Sequence, residues 1–265
     1  MNISPTPNMM AEKNGPVGRL VFNKPQKHNA TSTDMWEAIP VILDDFEKDP
    51  AIRVIVVTGA DDKAFVSGAD ISQFDEQRTD PDAQAGYNAA VDAAYGAPVR
   101  TGKPTLAKIR GICMGGGLGL AAACDIRICA DDARFRMPAG RLSLGYSQAG
   151  VRRFAALIGV QNTYDIFYSA RIFDAQDALR MGFVARVVPA AELDAAVAAM
   201  ASAMAENAPL TAKAVKLAMN AWLDDPAGQD TPAVRAAVDA CNQSEDYREG
   251  VRAFAEKRKP DFTGR

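Results

Sequence analysis

The chain is 265 residues long, 48% hydrophobic and 24% charged, with a formal net charge of -3 and a pI near 5.3. That is enough apolar material to bury a full core, as one large domain or one domain with an appendage. No Lys/Arg face is large enough to suit nucleic acid or an anionic membrane, and the basic cluster Lys257-Arg258-Lys259 is too short to change this.

Residues 1–16 are polar and Pro/Asn-rich and read as a loose lead-in. They have neither the basic start nor the apolar core of a signal peptide, and no later stretch is apolar enough to span a membrane, so a cytoplasmic location is expected. Val17 to Phe22 alternates as a strand does, and Asn23-Lys24-Pro25 ends it. Thr31 or Ser32 then caps a helix carrying Met35, Trp36, Ile39, Ile42, Leu43 and Phe46 at helical spacing, with a bend expected at Pro40. Ile52 to Gly59 is a β-branched run without alternation, as in a strand of a sheet covered on both faces.

A small-residue loop follows, Ser67-Gly68-Ala69-Asp70. Residues 75–86 read as a mobile polar stretch over the pocket, and 87–99 as a helix. Thr105 to Cys113 is a strand that enters a glycine cluster, Gly115-Gly116-Gly117-Leu118-Gly119, and an apolar helix leaves it. Asp125 to Ala130 is the next strand. This alternation argues an α/β fold with right-handed crossovers. From about residue 190 only helical patterns remain, broken at Asn207-Ala208-Pro209 and Asp225-Pro226-Ala227-Gly228. The expected organisation is a lead-in over 1–16, a core over 17–205 and a helical oligomerisation region over 206–265.

Cys113, Cys124, Cys129 and Cys241 contain no C-x-x-C pair, and with one histidine in the chain they read as reduced, mostly buried thiols, not as a metal cluster. The glycine cluster lacks the G-K-[ST] ending of a P-loop. It also lacks the acidic residue about 20 positions on that a dinucleotide fingerprint needs. Taken alone, the glycines would do no more than let a helix pack closely on a sheet. Beside Ser67-Gly68-Ala69-Asp70 they do more. Neighbouring parallel strands bring their C-terminal ends together, and two such loops can aim two N–H groups at one oxygen, as an oxyanion hole does.

Asn23-Lys24-Pro25 with Asn29-Ala30, Val56-Val57-Thr58-Gly59, Ala64-Phe65-x-x-Gly68-Ala69-Asp70-Ile71, the glycine cluster with Cys124-Asp125, Ala178-x-x-x-Gly182-Phe183-Val184 and Glu256-Lys257-Arg258-Lys259-Pro260 form an ordered set. From about residue 17 onward the set resembles the crotonase family, the enoyl-CoA hydratase/isomerase superfamily. The resemblance implies a spiral of ββα units with a helical trimerisation region, assembled as a homotrimer or a dimer of trimers. It also implies an acyl-CoA thioester substrate, with coenzyme A present only as part of that substrate and no metal. By the same matching, the N–H groups of Ala69 and Gly116 hold the thioester oxygen. Lys24, the residues near His28, Ser67, Asp70 and Ile71 then lie along the pocket and the CoA, and Phe254 and Lys257 reach its nucleotide end, across a subunit boundary or within one chain. Asp70 and Asp125 are equally well explained as loop braces.

Hydratases of this family are expected to carry two glutamates, at the positions held here by Gly119 and, after Pro138, by Ala139. Water addition needs a base and an acid, each contributing about 10²–10⁴-fold, and these two residues offer neither. An enolate can still form when the substrate supplies its own leaving group, such as CO2 from a malonyl-type thioester. In the family's methylmalonyl-CoA decarboxylases a tyrosine follows this same Pro, and Leu142-Ser143-Leu144-Gly145-Tyr146 resembles that segment. Tyr146 could orient a carboxylate, donate a proton or simply wall the pocket. Ser67, Arg141, Ser143, Ser147 and Gln148 are weaker candidates. Three readings follow: a nominal hydratase, a CoA-thioester decarboxylase using Tyr146, and a non-catalytic acyl-CoA-binding trimer.

Overall fold

The strands of the computed structural model alternate between two sheets, and that alternation is what builds the site. Residues 4–70, 72 and 81–265 are described. Strands β1 (Met9–Asn14), β2 (Val17–Phe22), β3 (Val54–Gly59), β5 (Thr105–Ile109), β7 (Ile126–Ala130) and β10 (Arg186–Val188) form one sheet in the order β1-β2-β3-β5-β7-β10. It is parallel except for the β1–β2 hairpin. Strands β4 (Ala64–Val66), β6 (Ile112–Met114), β8 (Arg134–Arg136) and β9 (Ile172–Asp174) form the second, in the order β4-β6-β8-β9. Thus β3/β4, β5/β6 and β7/β8 each place one strand in each sheet, the ββα spiral that the sequence led us to expect.

The helices are α1 (Thr33–Lys48), α2 (Pro81–Arg100), α3 (Gly116–Ala123), α4 (Gln148–Ser169), α5 (Ala175–Met181), α6 (Leu193–Ala205), α7 (Pro209–Asp224), α8 (Pro232–Gln243) and α9 (Glu245–Ala255). The main core joins the inner face of α1, including Trp36, Ile39 and Phe46, to Phe22, Phe65, Leu118, Phe135 and Phe183. A second core lies under α6, where Leu193, Val197 and Ala201 pack on Val54, Val56, Leu106 and Ile128. No helix among the described residues is long and apolar enough to cross a membrane.

Three expectations are corrected. The stretch 1–16 is not loose throughout: Met9–Asn14 is a strand paired residue by residue with Val17–Phe22, because the hairpin buries Met9 against the core. The run from Thr105 to Cys113 is two strands in different sheets. It breaks at Gly111, where φ is +60 and a Cβ would stand 2.0 Å from Lys63 O, a place open only to glycine. Residues 81–86, read as mobile, belong to α2, while 73–80 lie outside the described residues. Helix α1 continues through Pro40.

A buried lysine ties the C-terminal helices to the core. Lys216 of α7 donates to Asp125 Oδ2 and to Lys103 O, each at 2.9 Å, and Asp125 in turn accepts from the N–H of Thr105 at 2.7 Å. Asp125 is therefore a brace, one of the two roles open to it from sequence.

Candidate functional site

Strands β4 and β6 pair in parallel, Ala64 with Ile112 and Val66 with Cys113, so the loops that leave them emerge side by side. From β4 comes Ser67-Gly68-Ala69-Asp70; from β6 comes Gly115 and then α3. Gly115 turns the chain with φ +52 and ψ -116, which a side chain would strain. A Cβ on it would stand 3.7 Å from Gly68 Cα, and a Cβ on Gly68 would stand 4.0 Å from Gly116 N. A Cβ at either position would make only ordinary contact with the other loop, so the loops lie side by side and it is the positive φ of Gly68 and Gly115, +112 and +52, that calls for glycine.

Several amides around this contact are spent. Ser67 N–H donates to His28 O at 3.1 Å, Asp70 N–H to Thr31 O at 2.8 Å and Gly115 N–H to Arg136 O at 2.9 Å. Among the described residues, the N–H groups of Ala69 and Gly116 make no hydrogen bond. Gly116 is the first residue of α3, so its N–H is one of the orphan donors at a helix start. Gly68 N–H in the first loop and the N–H groups of Gly117 and Leu118 in the second are likewise unspent among the described residues, so both loops present free donors, Ala69 and Gly116 among them.

The segment 24–31 holds the first loop in place. Thr31 donates from both its N–H and its hydroxyl to Gly68 O, at 2.8 and 3.0 Å. Asn29 is fully buried and left-handed, with φ +56; its amide donates to Ala64 O and Phe65 O, and its carbonyl accepts from Lys24 N–H. Asp70 Oδ2 accepts from Lys24 Nζ and Lys27 Nζ, both at 2.9 Å, and Oδ1 accepts from the Ser72 hydroxyl at 2.6 Å. Burial pushes the Asp70 carboxyl up, but these donors outweigh it and hold the group well below the ordinary carboxylate range.

Over Gly116 and Gly119 stands a group of aromatic side chains. A Cβ on Gly116 would lie 2.9 Å from Trp36 Cζ2, and a Cβ on Gly119 only 2.6 Å from Tyr95 Oη. Tyr95 donates to Gly116 O at 3.1 Å and meets Trp36 edge-on at 5.8 Å, and Trp36 Nε1 donates to Tyr87 Oη at 3.3 Å. Tyr146 packs edge-on against Phe167 at 5.0 Å. Burial pushes its phenol up to about 12, with Tyr87 adding to the effect; burial and the neighbouring Tyr146 and Tyr87 raise Tyr95 well above its ordinary value. Both phenols are neutral at physiological pH. Ala139 follows Pro138, whose ring lies 3.7 Å from the Cβ position of Gly115, and is buried without a polar atom.

The remaining sequence candidates divide cleanly. Ser67 and Asp70 lie in the loop itself, and His28 is exposed beside it with φ +51. Lys24 is buried, and its ammonium is committed to Asp70. The exposed Lys27, which sequence reasoning passed over, shares that carboxylate. Ile71 lies outside the described residues. Phe254, 87% exposed, and the exposed Lys257 belong to the C-terminal region, where α9 packs on α8. Arg141, Ser143 and Gln148 are exposed, and Ser147 caps α4 by accepting from Gly150 N–H. In the sequence Trp36 reads only as one apolar residue at helical spacing and Tyr95 only as part of the helix over 87–99, since no local pattern says that they reach Gly116 and Gly119.

The model of the family described as enoyl-CoA hydratase/isomerase matches residues 12–265, a span that includes both loops and the C-terminal helices. The chain belongs to that family. It is 31% identical over 252 residues to the short-chain-enoyl-CoA hydratase of Clostridium acetobutylicum, covering 95% of this chain and 96% of that protein. To the carnitinyl-CoA dehydratase of Salmonella enteritidis it is 31% identical over 258 residues, covering 96% and 97%. The crystal structure of an enoyl-CoA hydratase/carnithine racemase from Magnetospirillum magneticum superposes with a TM-score of 0.91 at 32% identity, covering 99% of this chain and 98% of that one. Equal similarity to differently named enzymes makes this an acyl-CoA enzyme of the enoyl-CoA hydratase/isomerase family and leaves the individual reaction to the site.

Proposed function

We propose that the protein is an acyl-CoA lyase that holds a thioester carbonyl oxygen between the N–H groups of Ala69 and Gly116 and stabilises the enolate formed there. The observation that carries this reading is that two neighbouring loops, which meet at Gly68 and Gly115, hold unspent amides that include those of Ala69 and Gly116. Fixed donors aimed at developing negative charge commonly contribute about 10²–10³-fold each, more than the other groups in reach can supply. Coenzyme A enters only as the carrier of the acyl group.

Within this class the composition of the site favours one reaction. With Gly119 and Ala139 in place of carboxylates, neither of these two positions offers a base to activate water, although the relatives' names describe hydratases and a dehydratase. Loss of CO2 from a malonyl-type thioester needs no base. The bond from the α-carbon to the carboxylate breaks, its electron pair enters the enolate, CO2 leaves, and the α-carbon takes up a proton. Tyr146, a neutral phenol, orients the departing carboxylate or gives that proton and recovers it from water. The assembly that accompanies this reading is a homotrimer or dimer of trimers, in which Phe254 and Lys257 lie along the CoA nucleotide. The exposed apolar side chains Met219, Trp222, Val251 and Phe254 support such an assembly.

The test is incubation of the purified protein with crotonyl-CoA, a 3-enoyl-CoA and methylmalonyl-CoA, followed by absorbance and product mass. Release of CO2 with formation of propionyl-CoA, slowed in Tyr146→Phe, is the expected result. Efficient hydration of crotonyl-CoA would refute the decarboxylation reading, and loss of CO2 unchanged in Tyr146→Phe would remove Tyr146 from it. Binding of all three esters without turnover would make the protein a non-catalytic acyl-CoA binder.

A further inference from the structure

Residues 116 and 119 lie one turn apart on the same side of α3, so a side chain at 119 would project beside the acyl group of a thioester held at Gly116. That volume is filled. The nearest atoms to a Cβ at 119 are Tyr95 Oη, Cζ and Cε2, at 2.6, 2.7 and 3.2 Å, and the same hydroxyl lies 3.4 Å from a Cβ position at Gly116. Tyr95 comes from α2, which packs against both α1 and α3, so its ring reaches the site from outside the glycine segment.

We infer that Tyr95 is a specificity-determining residue that fills the position-119 side of the acyl site and keeps water addition from occurring there. Three observations carry this. The outer atoms of the phenol occupy the space that the Cβ of any side chain at 119 would need. The hydroxyl proton is committed to Gly116 O at 3.1 Å, so the phenol is a held plug and not a free acid. The ring is also pinned from behind by the edge of Trp36, whose own Nε1 is tied to Tyr87. Gly119 and Tyr95 are therefore one choice expressed at two positions: the small residue admits the large one, and the large one excludes a side chain at the other. The inference rests on the reading of Ala69 and Gly116 given above.

The test exchanges the two positions. Gly119→Glu, Tyr95→Ala, Tyr95→Phe and the double variant Gly119→Glu/Tyr95→Ala are compared with the parent for thermal midpoint, crotonyl-CoA hydration and binding of a 2,4-dienoyl-CoA, whose red-shifted absorbance reads polarisation of the thioester carbonyl. Gly119→Glu alone is expected to lower the midpoint, because its Cβ overlaps Tyr95, and to add little hydration. Adding Tyr95→Ala is expected to recover part of the midpoint and to raise hydration about tenfold or more over Gly119→Glu, less than the roughly 10²–10⁴-fold that a fully positioned carboxylate supplies. Tyr95→Phe keeps the plug and is expected to hydrate no better than the parent.

Equal hydration by Gly119→Glu and the double variant, or no gain in the double variant while it still red-shifts the dienoyl-CoA, would overturn the role of Tyr95. A parent protein that binds the dienoyl-CoA without a red shift would instead overturn the oxyanion reading, so the two failures are separable.

Discussion

Lys24 and Asp70 form an ion pair of 2.9 Å in which the two side chains are only 11% and 6% exposed. The pair ties the segment after β2 to the loop that carries Ala69, and Lys27 completes it from the solvent side. A buried charge left without its partner is costly, so Asp70→Ala is expected to destabilise the protein by roughly 3–5 kcal/mol, nearer the lower figure because Lys27 is hydrated in any case. Because the Asp70 carboxyl is depressed in the folded state, its contribution is complete above the ordinary carboxylate pKa, about 3.9, and is lost as pH falls below it. The gap between the urea midpoints of parent and variant should therefore be smaller at pH 3 than at pH 7, closing only as pH falls on through the depressed folded value; a constant gap would show that the pair is not what stabilises the loop.

Asn29 predicts a second loss of comparable origin. Replacing it with Ala leaves Ala64 O and Phe65 O without their shared donor and Lys24 N–H without its acceptor, in a site with no exposure to water. The expected cost is about 2–3 kcal/mol by chemical denaturation, since buried groups stripped of a partner pay their full desolvation. Asn29→Gly separates the hydrogen bonds from the left-handed backbone, because Gly adopts φ +56 freely and should recover only the smaller, conformational part.

Tyr146 makes the protein sensitive to base. Its phenol is raised from 10.0 to about 12 in the folded state, so between those values the unfolded chain has released a proton that the folded one retains. Folding then weakens with rising pH: the contribution is intact below pH 10 and disappears by about pH 12. Thermal midpoints measured from pH 9 to 11.5 should fall less steeply in Tyr146→Phe than in the parent. Parallel curves would mean that the hydroxyl is solvated and does not belong to the aromatic group over Gly116.

The fold was legible because its signals are local. The β-branched run before Gly59, the helical spacing of Trp36 and Phe46, and the breaks at Pro209 and Gly228 each state their own structure, whereas the expected cap on that helix is not made: Ser32 stands at its N-cap without a side-chain capping bond and the Thr31 hydroxyl goes to Gly68 O. What local pattern could not state was the division of the Thr105–Cys113 run between two sheets, since the cause is a carbonyl of Lys63 nearly fifty residues away. The strand at Met9–Asn14 was hidden for a similar reason: its polar sequence becomes a strand by pairing with its neighbour, not by alternation. The two facing loops were legible because glycine-bearing loops after parallel strands imply neighbouring backbones; the choice of Ala69 and Gly116 within them came from the resemblance to the family. Tyr95 was not legible, because a tyrosine at helical spacing looks the same whether it faces a core or a reacting group. Only the absence of a side chain at Gly119 hinted that something else fills the space.

The chain contains two tryptophans, and the fold has put them in unlike places. Trp36 is sealed against Gly116 and Tyr95, while Trp222 is half exposed on α7, the helix whose Lys216 grips Asp125. Their emission separates naturally, blue for the first and red for the second. Trp222→Phe would leave a single intrinsic fluorophore touching the glycine turn, so that occupancy of the thioester site could be watched directly without any label. The reciprocal variant would report the docking of the C-terminal helices alone.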